Sequence, residues 1–169
     1  MIDPKIEAAL NQQINHELAS AYNYLAMSAH FEHINMTGMA RWMDLQREEE
    51  NEHAMRLVKY VLARGGKVQL EAVDKPRTNF TSIIEVFEAA LKSEQDNTRA
   101  INELYSLAVS VKDYATQSSL QWFLDEQVEE ESLMDETLAL VKLVGDDKSA
   151  LLVLNGQLGG RKKQEAPAE

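Results

Sequence analysis

The scarcity and placement of helix breakers constrain this chain more than any other feature. Proline occurs only at Pro4, Pro76 and Pro167, and no glycine lies between Gly66 and Gly145. Stretches rich in Ala, Leu, Glu, Gln and Met contain nothing to stop a helix, so the expected fold class is all-α. Asp3-Pro4 pairs a capping side chain with proline at the first helical position and opens a first helix. That helix runs to about His33, where Ile34-Asn35-Met36-Thr37-Gly38 makes a short turn. Thr37 is expected to cap a second helix, which stops at Gly65-Gly66. Ser82-Ile83-Ile84-Glu85 has capping-box spacing and opens a third. Asp113 caps a fourth, and Gly145-Asp146-Asp147 separates it from a short apolar fifth around Ala150 to Leu154.

Helices of this size are roughly 45 Å long at 1.5 Å per residue. Short turns after the first and third make two antiparallel hairpins. The connection over residues 67–81 differs, because extended chain of that length reaches roughly 50 Å, the whole length of the bundle. The second and third helices are therefore expected to run parallel, giving a four-helix bundle with one long crossover plus a short fifth helix. Residues 1–158 make one domain. Residues 159–169, including Arg161-Lys162-Lys163, read as a flexible, solvated polar tail.

Charge narrows the function. The chain carries 28 Asp plus Glu against 17 Lys plus Arg, a net charge of -11. That argues against nucleic acid or an anionic membrane as partner, since both require basic surface, and suits a cation. With no cysteine, disulfides, iron–sulfur clusters and thiolate zinc sites are excluded. The N-terminus lacks the basic and then apolar run of a signal peptide, and no apolar stretch approaches the roughly 20 residues of a membrane span. A soluble protein is expected, with a cytoplasmic location allowed.

Spacings of three and four residues define an inward stripe on each helix. They are Ile6, Leu10, Ile14, Glu17, Ala21, Tyr24 and Ser28 on the first, and Met39, Met43, Gln46, Glu50, His53, Leu57 and Val61 on the second. The third offers Ile84, Phe87, Leu91, Glu94, Thr98, Ile101 and Tyr105; the fourth offers Leu120, Phe123, Gln127, Glu130, Met134 and Val141. Every apolar stripe is broken mid-length by a carboxylate. Glu17 to Glu50 spans 33 residues, as does Glu94 to Gln127, while Glu17 to His53 spans 36, as does Glu94 to Glu130. The halves superimpose with an offset of 77, and a pseudo-two-fold axis would bring all six residues to one level. Any one inward Glu is unremarkable, and a lone His53 is more often a core histidine. Four carboxylates at matched depth are different: desolvation costs several kcal/mol per ion, and no Lys or Arg lies on these stripes to compensate. Two divalent cations would. Oxygen-rich donors with one imidazole suit iron or manganese and leave the choice between them open. Glu on two helices and Glu-x-x-His on the others is the di-iron carboxylate pattern, here with the second copy changed to Gln127-x-x-Glu130.

Asn15-His16-Glu17-Leu18, Glu48-Glu49-Glu50-Asn51-Glu52-His53, Glu94-Gln95 and Leu120 through Glu130 make the chain resemble the bacterial non-haem ferritins from Met1 to about Leu158. The resemblance implies a ferritin-like bundle in which Glu17, Glu50 and His53 hold one iron, and Glu50, Glu94 and Glu130 a second, with Glu50 bridging. It further implies a third iron site at Glu49, Glu126, Glu129 and Glu130. Tyr24 matches a tyrosine close to the ferroxidase centre, and Trp122 matches an aromatic neighbour of it. The implied function is a shell of 24 subunits that oxidises Fe(II) with O2 or peroxide and stores ferric mineral, its fifth helices lining the four-fold axes. Bacterioferritins would show a second Glu-x-x-His and a haem-ligating methionine at Asn51, and rubrerythrins a cysteine-ligated iron. The expected cofactor is thus iron without haem. Purified protein should show no Soret band, because Asn51 offers no thioether; stoichiometric haem in the purified protein would overturn that assignment.

Overall fold

Four of the five helices among the described residues begin where a side chain takes over an orphaned backbone N–H. A computed structural model describes residues 2–162. Its described residues form α1 (Pro4–His33), α2 (Thr37–Ala63), α3 (Ile83–Ser110), α4 (Tyr114–Val144) and α5 (Lys148–Gly159). Asp3 accepts from the Lys5 N–H at 2.8 Å, Asp113 from Thr116 at 3.1 Å and Asp147 from Ala150 at 2.8 Å. Ser82 accepts from Glu85 at 3.1 Å, but the Glu85 carboxylate returns the favour to the Thr81 N–H, at 2.6 Å. At α2 the expectation fails. Met36 holds the cap position without a side-chain bond, and Thr37 is already helical. The Met36 N–H instead bonds back to the Phe31 carbonyl at 2.9 Å, so one turn closes α1 and launches α2.

The 77-residue repeat extends into the turns. Asn35 and Lys112, 77 residues apart, are both left-handed, with φ of 61° and 58°. Asp113 N–H bonds to the Ala108 carbonyl at 2.9 Å, as Met36 does to Phe31. Both hairpins therefore close with the same left-handed C-terminal turn.

α1 packs on α2, α3 on α4, and α1 also on α3, while α5 lies against α2 and α4. The crossover is stitched to α1 by two asparagines one turn apart. Asn11 donates to the Lys67 carbonyl at 2.9 Å and accepts the Gln69 N–H at 2.7 Å; Asn15 does the same with Gln69 and Glu71, both at 2.9 Å. Farther on, Phe80 meets the ring of His30 at 5.2 Å. The chain thus travels along α1 from the level of Asn11 to that of His30, about 28 Å of helix. That return makes α2 and α3 parallel, as the sequence predicts.

Two apolar plugs fill the bundle. One gathers Tyr24, Phe31, Met39, Trp42, Met43, Phe87, Met134 and Val141; the other gathers Ile6, Leu10, Ile14, Leu57, Val61, Ile101, Leu120 and Phe123. The acidic layer lies between them. On α3 the buried face reads Phe87, Ala90, Glu94, Asn97, Ile101 and Leu104, and Ile84, Leu91, Thr98 and Tyr105 are only half-buried. Both readings share Phe87, Glu94 and Ile101. They differ in whether the step of three or of four comes first, and an average period of 3.5 allows either until neighbouring helices choose.

The segment expected to be a tail from residue 159 begins differently. Gly159 ends α5, and Arg161 folds back over Trp42, its guanidinium 5.0 Å from the ring centroid. Residues 163–169 of that expected tail lie outside the described residues. Among the described residues no helix is long and apolar enough to cross a membrane. α5 docks through Gly38, where an added Cβ would overlap the Asn155 carbonyl, and through the Met39 N–H, which donates to Asn155 Oδ1 at 3.0 Å. Gly38→Ala should push α5 off α2 and destabilise the chain by about 1–3 kcal/mol, the scale of overpacking; an unchanged thermal melting curve would refute this contact.

Candidate metal centre

All four long helices contribute to the layer between the plugs. Glu17 comes from α1, Glu50 and His53 from α2, Glu94 from α3, and Gln127 and Glu130 from α4; each is 3% exposed or less. Helical spacing aims these side chains inward, and the apolar residues a turn above and below exclude water from them.

Their hydrogen bonds are unequal. Glu17 accepts from Gln13 at 2.8 Å and from Asn97 at 3.2 Å. Glu94 accepts from the Tyr24 hydroxyl and, at 3.4 Å, from Gln127. Gln127 is itself held at both ends, its Oε1 by Asn97 at 3.4 Å and its Nε2 by Thr98 Oγ1 at 3.2 Å. Glu130 accepts from Gln46 at 2.8 Å. Among the described residues, Glu50 has no hydrogen-bond donor at either oxygen, and His53 Nδ1 is likewise without a partner. Buried polar atoms are rarely left so, and two carboxylate oxygens facing one another's charge are a place for a cation. Ligand atoms of Glu17, Glu50 and His53 all lie within 4.8 Å of one another, and so do those of His53, Glu126 and Glu130. The donor set fits a divalent metal ion.

Of the residues expected at a second position, Glu94 is drawn towards Tyr24 and Gln127, while Glu130 groups with His53 and Glu126. Of the expected outer cluster, Glu49 is buried, Glu126 half-buried and Glu129 exposed. His53 sits edge-on to Trp122 at 5.3 Å and Phe123 at 6.0 Å, which fixes its ring plane.

Burial dominates the electrostatics. It pushes the Glu50 carboxyl well above the usual range, reinforced by the charges of Glu94 and Glu17. Burial also raises Glu94 to about 7, against the hydrogen bonds from Tyr24 and Gln127, and raises Glu130 to about 8, with Glu94 and Glu49 adding to it. It lowers the His53 imidazole, keeping it a neutral ligand, and raises the Tyr24 phenol, which stays protonated. Without metal, the layer avoids its own repulsion by holding protons.

Sequence reasoning missed the amides that orient these carboxylates. Asn97 and Gln13 are buried and bonded to each other at 2.6 Å as well as to Glu17. The available signal was spacing: Gln13 is four residues before Glu17, and Asn97 three after Glu94. Gln46 lay on the inner stripe, but its partner Glu130 is 84 residues away.

A long-crossover four-helix bundle with a buried Glu/His layer drawn from every helix defines the helical metal-carboxylate proteins. The sequence matches the ferritin-like domain of the ferritin family over residues 7–144. It is 39% identical over 161 residues to the bacterial non-heme ferritin of Staphylococcus aureus (strain USA300), covering 95% of this chain and 97% of that protein. A closed form of the Archaeoglobus fulgidus ferritin, engineered by site-directed mutagenesis, superimposes with a TM-score of 0.95 at 40% identity, covering 97% of this chain and all (100%) of that one. The open-pore ferritin of the same archaeon gives 0.94 at 41% identity, covering 96% and 99%. The chain belongs to the ferritin family, and that membership supports iron storage as its role.

The metal-free protein should lose stability as pH rises. The unfolded chain releases carboxyl protons near 4.5, whereas the folded protein holds those of Glu94 and Glu130 to about 7 and about 8. Folding is therefore favoured by bound protons, and the advantage disappears as pH climbs from 4.5 to about 8. Thermal melts of metal-free protein across that window should show a falling midpoint, flattened in Glu50→Gln; a rising midpoint would contradict the assignment.

Proposed function

We propose that the buried layer is a ferroxidase centre: it binds Fe(II) as substrate, passes its electrons to O2 or peroxide, and delivers ferric iron to a mineral inside a shell of 24 identical subunits. The observation that carries this reading is Glu50, a fully buried carboxylate whose oxygens have no donor among the described residues, beside the ligand atoms of Glu17 and His53. Glu17, Glu50 and His53 hold one Fe(II). Glu50, Glu94 and Glu130 hold the second, with Gln127 beside it. Two Fe(II) in one pocket would supply two electrons together, enough to take one O2 with two protons to hydrogen peroxide while both irons become Fe(III). Hard carboxylate oxygens favour Fe(III) over Fe(II) and so make the iron easier for O2 or peroxide to oxidise. Tyr24 keeps its proton and holds Glu94 in place. Glu49, Glu126, Glu129 and Glu130 form an outer station for a third iron on its way to or from the pair.

Exposed apolar side chains support the assembly. Leu62, Leu70, Val128, Leu143, Leu152 and Val153 are each more than half exposed in the single chain. Such residues on outward faces and on α5 suit subunit contacts. The acidic balance suits an inner wall that attracts cations, and a cytoplasmic location fits a store of reduced iron.

The test is stopped-flow absorbance after mixing two Fe(II) per subunit with O2, comparing two neighbours of equal charge. Glu50→Ala should slow the initial oxidation on the order of 100-fold, as both irons lose a ligand. Glu52, which is exposed, makes the same change in net charge when replaced by Ala and should leave that phase nearly unchanged. Equal slowing would mean general attraction of cations and no bridging role for Glu50. Replacing Glu49, Glu126 and Glu129 together with Ala should spare the first phase and alter later turnover; loss of the first phase would put them in the primary site.

A further inference from the structure

Arg161 lies just past α5, in a stretch whose sequence reads as solvated, yet its side chain is only 12% exposed. It stacks over Trp42 and makes an ion pair with Glu49, its Nη2 2.9 Å from Oε2 and 3.2 Å from Oε1. Its Nη1 donates to Gln46 Oε1. A guanidinium can only donate, so Gln46 must turn its oxygen to Arg161 and its NH2 to Glu130, where it donates at 2.8 Å. Arg161 thereby controls two carboxylates. It covers Glu49 directly, and through Gln46 it keeps a donor on Glu130.

We propose that Arg161 is a displaceable counter-cation of the metal centre: its guanidinium occupies the cation position at Glu49 in the metal-free chain, and a divalent ion entering at the outer carboxylates expels it and loosens the end of α5. The inference rests on the layer being a divalent-metal site. Charge balance is its physical basis, since Glu49 is a buried carboxylate that needs a positive partner, and the guanidinium supplies one at both of its oxygens. Metal and guanidinium cannot hold the same carboxylate oxygens at once, and competition of this kind is reciprocal: whatever Arg161 adds to the metal-free fold is subtracted from the affinity of the outer ion. Once Arg161 leaves, Gln46 can rotate and offer its oxygen to the incoming ion.

Zn(II), which is redox-inert, serves as the probe in calorimetric titration of the full assembled protein and its Arg161→Ala and Arg161→Lys variants. In Arg161→Ala the weakest-binding ion should bind about tenfold more tightly, the scale of one charge-assisted pair, with the ion at Glu17, Glu50 and His53 unchanged. Arg161→Lys, which keeps the charge, should restore much of the native weakness. In the native chain, zinc loading should speed amide hydrogen exchange over residues 155–162. Tight ions that bind normally with an outer ion indifferent to Arg161, or exchange unaltered by zinc, would overturn the inference while leaving the metal centre intact. Failure of every chain to take up stoichiometric zinc would remove the metal-site reading, and this inference with it.

Discussion

Four carboxylates sit at one depth of a helical bundle, between two apolar plugs, and the structure is organised around keeping them there. Each buried charge costs several kcal/mol unless it is compensated. Glu17 is compensated by two amides, Glu94 by a phenol and an amide, and Glu130 by Gln46. Glu50 has no compensating donor among the described residues, and burial pushes its carboxyl well above the usual range. The plugs on either side must therefore supply stability that the layer cannot, which is why the large buried side chains crowd both ends of the bundle.

The duplicated hairpin explains how such a layer arises, and its departures from symmetry explain what the layer can do. Turn geometry repeats faithfully, down to left-handed residues at Asn35 and Lys112. The site does not. Glu50 corresponds to Gln127, and His53 to Glu130. In one half a bare carboxylate faces an imidazole with a free nitrogen; in the other a neutral amide is tied to Asn97, Glu94 and Thr98. One side is open to a ligand and the other is a clamp that holds Glu94 still. Strict symmetry would have kept four carboxylates in the layer but removed the amide that helps Tyr24 orient Glu94.

α5 links the centre to the outside of the chain. Leu152 and Val153 are exposed on it, whereas Asn155 and Gly159 meet Gly38 closely enough to exclude a side chain there. Just beyond its last turn, Arg161 reaches the acidic layer. A short helix with one exposed apolar side and its end at Glu49 would physically connect the proposed assembly to the proposed metal centre.

Local rules made much of this legible in the residues themselves. Caps at Asp3, Ser82 and Asp113 follow from which side chains can satisfy an N–H, and the crossover follows from chain length alone. The acidic layer was legible because an α-helix converts sequence spacing into depth at a constant rate, so matched intervals of 33 and 36 residues mean matched height. Tertiary packing decided the rest. Whether α3 buries Asn97 or Thr98 depends on which neighbour presses on it, since both positions satisfy the same periodicity. That Gln46 serves Glu130, and that Arg161 abandons solvent for Glu49, join residues 84 and 112 positions apart. No local spacing encodes such pairs: hydropathy registers the charge of Arg161, and only the folded chain supplies the carboxylate that makes burying it favourable.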